Sequence, residues 1–172
     1  TFSTAPASGA SIFIVEISGA VGGPLQSDLN GAELILDADA DTSITADTDD
    51  QIDFKTGNSD RFVLSSANAK FNVGAYNAEA TLTDASTISW DVSTSPVAKV
   101  TLGANRTLGA GTNAQAGQFV SLLIIQDGTG SRTVTFNAAY EFKDDTAPTL
   151  TTTAAKGDLF VFRYNGSKWL EV

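Results

Sequence analysis

Between Leu34 and Val73 the chain sets short apolar beats, at Leu34/Leu36, Ile44, Ile52/Phe54, Phe62/Leu64 and Phe71/Val73. They recur roughly every eight to ten residues, and the turns between them are rich in Asp, Thr, Asn and Gly. That rhythm predicts short strands joined by tight polar turns and stacked as rungs of a fibre or solenoid. A helix is argued against, because DADADT and NSD put turn-formers where a helix needs a continuous apolar stripe. The stretch is also thin. It holds 11 large apolar residues among 40, whereas Gln118–Phe136 and Gly157–Val172 together hold 16 among 35. Rungs this poor in apolar side chains need a partner surface, and the expected one is another copy of the chain. Leu34, Leu36, Ile44, Ile52, Phe54, Phe62, Leu64, Phe71 and Val73 are therefore expected in an interchain core.

Charge is unevenly placed. The chain has a formal net charge of −10. Nine acids lie between Glu33 and Asp60 against a single base, Lys55, so −8 of the −10 falls in this stretch. The acids are expected to form a solvated face that discourages edge-to-edge aggregation. No basic stripe exists, which argues against nucleic-acid binding. No run of roughly 18 apolar residues is present, so membrane insertion through a helix is not expected. There is no Cys, hence no disulfide framework.

In order, residues 1–18 contain a strand over Ser11–Ile17 (SIFIVEI) and read as the closing hairpin of an upstream β domain. Residues 19–33 have the Gly and Pro content of a linker. Residues 34–73 are the expected β shaft, intertwined or stacked, and residues 74–86 a connector. Residues 87–172 read as a C-terminal β domain resembling a sandwich or jelly roll. In it Ile88, Trp90 and Val92 alternate on one face, and Val97–Leu102 forms a second strand. Gln118–Gln126 is nearly all apolar, as a strand covered on both faces would be. Arg132–Phe136 is expected to return after the turn Asp127–Ser131, and Asn165-Gly166 marks a terminal hairpin.

The phrase LILDADADTSITADTDDQIDFKTGNSDRF resembles a recurring segment of bacteriophage tail fibres, in particular the long fibres of marine phages. The runs VTLGANRTL (Val100–Leu108), LLIIQDGTGSRTVTF (Leu122–Phe136), TAPTLTTTA (Thr146–Ala154) and YNGSKWLEV (Tyr164–Val172) are similar to a C-terminal module of such fibres. The resemblance implies an all-β, elongated homotrimer in the virion tail, extracellular, that contributes to host attachment. Its partners would be other virion tail proteins and a host surface glycan or protein. A non-adhesive virion structural or head decoration protein, and a cellular surface adhesin or filament subunit, are the alternatives.

Chemistry is sparse in this sequence. Without His or Cys, the Ser-His and Cys-His schemes of nucleophilic catalysis are excluded. The carboxylates sit in turns without aromatic neighbours to form a sugar platform, so no enzymatic role is expected. Asp37, Asp39 and Asp41 offer hard oxygen ligands of the kind Ca²⁺ takes. An EF-hand loop starting at Asp37 would need Gly and Glu where Thr42 and Thr48 stand, so that motif fails. No cofactor is expected, and solvated acidic turns are the simpler reading. For receptor contact, Tyr140, Tyr164 and Trp169 are the aromatic candidates, although each is more often a core residue than a ligand platform, and Gly103–Gln115 and Asn137–Pro148 are the longest loops.

Overall fold

A computed structural model describes residues 33–172. The expected hairpin in residues 1–18 and nearly all of the expected linker lie outside the described residues. The chain divides into two units, with the boundary between Gly74 and Ala75.

The described part of the first unit is one antiparallel sheet of five strands in sequence order. They are β1 (Leu34–Ile35), β2 (Ser43–Thr45), β3 (Gln51–Thr56), β4 (Ser59–Ser65) and β5 (Ala69–Phe71). The apolar beats are thus neighbouring strands of an antiparallel meander, each paired with the next within one chain, rather than coils of a solenoid. Local turn chemistry dictates this. Gly57 and Asn58 both take positive φ (58° and 54°), the geometry of a two-residue hairpin turn whose twist matches its flanking strands. In the β1–β2 turn the Leu36 amide donates to the Thr42 carbonyl and Ala40 takes φ 62°. In the β2–β3 turn the Gln51 amide donates to the Thr48 carbonyl.

The second unit packs two sheets. The larger has the order β12-β14-β13-β10-β8-β6 and the smaller β11-β9-β7. The larger comprises β6 (Ala80–Thr81), β8 (Val97–Leu102), β10 (Phe119–Gln126), β12 (Tyr140–Glu141), β13 (Gly157–Tyr164) and β14 (Trp169–Glu171). The smaller comprises β7 (Thr87–Asp91), β9 (Arg106–Thr112) and β11 (Val134–Phe136). Ile88, Trp90 and Leu108 of the smaller sheet close on Val100, Leu122, Ile124 and Phe162 of the larger, forming a single core.

A two-layer sandwich is therefore present, but its pairing is not that of an antiparallel jelly roll. β8 runs parallel to both β10 and β6, β9 runs parallel to both β7 and β11, and β12 runs parallel to β14. Three expectations need correction. Val134–Phe136 does not return beside β10, because it crosses to the smaller sheet and pairs with β9. Gly103–Gln115 is not a loop, since Arg106–Thr112 is the middle strand of that sheet. The stretch 75–86, read as a connector, lies in the second unit and contributes β6 to the larger sheet. The β13–β14 hairpin forms as Asn165-Gly166 predicts, with Gly166 at φ 105°.

Candidate functional site

The five-stranded sheet of the first unit has two unlike faces. On one, strand register aligns Leu34, Ile44, Phe54, Phe62 and Phe71 in a continuous row across all five strands. The phenyl rings lie close, with centroids 5.5 Å apart for Phe54–Phe62 and 4.9 Å for Phe62–Phe71. Ile52 and Leu64 form a second pair on the same face. Leu34, Ile52, Phe54, Leu64 and Phe71 are exposed, as are Leu36 and Val73 just beyond β1 and β5. The nine residues expected to be interchain core are thus the ones that strand pairing gathers on this face or at its margin.

The opposite face carries Ser43, Thr45, Asp53 and Val63, all buried. Thr45, Asp53 and Val63 are cross-strand partners. The Gln51 side-chain amide donates to both Asp53 carboxylate oxygens at 2.9 Å. Lys55, directly across from Ser43, is paired with Asp47 (3.1 Å) and Glu33 (3.6 Å). A sheet folded only for its own solubility would turn its apolar side inward. Here Ser43, Thr45 and Asp53 are buried while Leu34, Ile52, Phe54, Leu64 and Phe71 stay exposed.

In the β1–β2 turn, carboxylate oxygens of Asp37, Asp39 and Asp41 lie within 4.8 Å of one another. Asp37 Oδ1 accepts the Thr42 amide (3.2 Å), and Asp41 Oδ1 accepts the Thr42 hydroxyl (3.3 Å). Hydrogen bonding from Thr42, foremost its side chain, holds Asp37 below the usual carboxylate range. These contacts account for the turn's shape, and an acidic turn alone assigns no ion.

Two of the three receptor-contact candidates are core residues. Trp169 is 1% exposed, enclosed between the sheets with its ring against Trp90 and Tyr164. Tyr140 is buried too, its hydroxyl donating to the Gly109 carbonyl at 3.1 Å and its ring packed on Phe136 and Phe162. Burial pushes its phenol pKa above the usual range. Neither offers a flat face to a ligand, because both sit where large aromatics do most for a core. Tyr164 is half-buried, with its hydroxyl donating to the Gly166 carbonyl. Among the exposed aromatics that sequence reasoning passed over for contact is Tyr76, at 90% exposure. Of the two expected loops, Asn137–Pro148 holds β12 and a single 3-10 turn at Lys143–Asp145.

The resolved carboxylate shifts all run downward. Asp84 is held down first by Arg106, whose guanidinium reaches it at 2.6 and 2.5 Å. Asp127 is lowered to about 2, first by Arg132 and then by the Gly130 amide. Asp47 and Asp91 are lowered also, by Lys55 and Ser93 respectively. A general acid at neutral pH needs the opposite shift.

A family model described as "Putative phage tail fibre C-terminal domain" matches residues 81–169, just over half of the chain. The chain belongs to this tail fibre family. The match runs from β6 to the first residue of β14, so it takes in both sheets of the second unit, which is the tail fibre domain of this chain. The runs that carry the resemblance in sequence occupy its strands: VTLGANRTL spans β8 into β9, and LLIIQDGTGSRTVTF spans β10 into β11. Membership identifies a virion tail component. No curated protein matches the chain. No helix among the described residues of the tail fibre chain is long and apolar enough to cross a membrane.

Proposed function

We propose that this tail fibre chain assembles as a homotrimer through the apolar face of its five-stranded sheet, and that the assembled fibre contributes to host attachment. The observation that carries the reading is the row Leu34–Ile44–Phe54–Phe62–Phe71, exposed at Leu34, Phe54 and Phe71 and half-buried at Ile44 and Phe62, on a sheet that buries Ser43, Thr45 and Asp53 on its other side. Exposed apolar patches of this kind mark interaction surfaces. Identical chains supply an identical apolar row to bury it against. The tail fibre family supports a structural rather than a catalytic role, and the downward carboxylate shifts agree with that.

The native mass of the full chain in solution tests the assembly. A trimer is expected, and a monomer at every concentration overturns the reading. Ile52→Asp and Phe54→Asp, each placing a charge on the apolar face, should lower that mass. A trimer unmoved by both changes means that this face lies outside the interface.

A non-adhesive structural role is the second reading, favoured by the burial of Tyr140 and Trp169. Binding of the purified full chain to host cells separates the two. Retained binding supports attachment, and its absence supports the purely structural role.

A further inference from the structure

We propose that the outer face of the six-stranded sheet is a second surface on which copies of this chain pack against one another. The proposal rests on the self-assembly reading and names a separate surface for it.

β10 is apolar on both faces. Val120, Leu122 and Ile124 point into the core, while Phe119, Leu123 and Ile125 alternate onto the outer side. Register places Leu159 of β13 directly across from Leu123. Val161 follows Leu159 on the same side, and Leu170 of β14 lies in the next row. A sheet with one face on a core ordinarily turns polar residues to water. This outer face instead sets an apolar strip beside Ser121, Lys99 and Thr101, with Phe119 56% and Leu159 66% exposed.

The area suits a weak contact between copies. β13 and β10 have 8 residues each, β8 has 6 and β14 has 3. At about 4.8 Å between strands and 3.3 Å per residue, they cover roughly 400 Å². Two such faces together bury about 800 Å², less than a standard interface, so packing through this face is concentration-dependent.

Charge indicates which partner fits. One row across the sheet reads Glu141–Leu170–Arg163–Phe119. Glu141 and Arg163 are both exposed, and neither forms an ion pair among the described residues. Lys99, elsewhere on the face, is already matched to Glu79 at 2.6 Å. A face holding both halves of an unmade ion pair, one leucine apart, is complementary to itself. A second copy sets its Glu141 against Arg163 while the aliphatic residues close between them.

Because the chain has no cysteine, a single thiol can report on the face. Leu159→Cys would be compared in the full chain with Gly128→Cys, in an exposed turn with nothing within 4 Å of an added side chain. Maleimide labelling at position 159 should be slower than at 128 by at least about tenfold, and dilution to monomer should abolish the difference. Arg163→Glu should also abolish it, and Arg163→Glu combined with Glu141→Arg should restore it. An oligomer labelled equally at both positions overturns this surface and leaves the self-assembly reading intact. So does protection that persists in the diluted monomer, that Arg163→Glu leaves unchanged, or that the double exchange fails to restore. A chain that is monomeric at every concentration overturns both.

Discussion

Trp90 and Trp169 stack across the two sheets of the tail fibre domain, with ring centroids 6.4 Å apart and planes 14° from parallel. One comes from β7 and the other from the last strand, so their contact ties the start of the sandwich to its end. The Trp90 indole N–H donates to the Ser95 carbonyl at 2.7 Å, which satisfies its polar end inside the core. Gly111 lies over the other indole, where an added Cβ would sit 3.0–3.1 Å from ring atoms of Trp169.

Trp90→Ala should destabilise the second unit by about 3–5 kcal/mol, the range for emptying a large aromatic site in a packed core. Denaturant unfolding followed by far-UV circular dichroism measures this. A loss under about 1 kcal/mol would mean that the stacked pair does not hold the sheets together.

Gly130 takes φ 77°, and a Cβ there would run into the Thr152 carbonyl oxygen and come within 2.9 Å of the Ala154 nitrogen. Gly130→Ala is expected to cost about 1–3 kcal/mol from strain and backbone collision. Gly128→Ala, two residues away with open space around it, should differ from the parent by no more than about 0.5 kcal/mol. Thermal denaturation of the two variants side by side provides the comparison.

The Asp127 carboxylate accepts from Arg132 Nε and Nη2 (3.1 and 2.8 Å) and from the amides of Thr129 and Gly130. Its folded pKa of about 2 lies below the ordinary 3.8. The group therefore contributes stability above the unfolded value, and that contribution is lost as pH falls through about 2. Asp127→Asn should lower Tm at neutral pH, and the gap from the parent should close between pH 4 and pH 2. A gap constant over that range would separate the pairing from stability.

Gln126 is a buried polar residue on β10 that closes the same turn. Its Nε2 donates to the Arg132 carbonyl at 3.0 Å, and its Oε1 accepts the Arg132 amide at 2.8 Å. Gln126→Ala would leave both backbone groups unmatched, costing about 1–3 kcal/mol. Amide hydrogen exchange at Arg132 should accelerate in the variant. Unchanged protection there would show that the side chain is not what orders the turn.

Strand positions and turns were legible where sequence pattern and backbone chemistry agree. Ile88, Trp90 and Val92 alternate into the core as their spacing requires, and Gly57-Asn58 and Asn165-Gly166 make the turns their residue types favour. β9 was hidden because RTLGAGT offers a single large apolar residue, Leu108. Its glycines look like loop residues yet serve close approach, with Gly109 near the Ile88 carbonyl and Gly111 under Trp169. The crossing of Val134–Phe136 to the smaller sheet was equally hidden, since a turn sequence does not say in which sheet the next strand pairs. Tyr140 and Trp169 stayed open between core and contact, because composition marks an aromatic without marking its side of a sheet. The candidate assembly face was readable as a set of residues, but the buried polar face behind it was not. Asp53 and Thr45 carry no apolar signal to announce their burial.

The last strand of the chain is not at an edge. β14 is flanked by β13 on one side, antiparallel, and by β12 on the other, parallel. Tension applied at Val172 cannot peel this strand away one hydrogen bond at a time. It must shear two ladders at once and drag the Trp169 indole out from between the layers. Load reaching β14 along the strand is thus spread over both neighbours and the core at once.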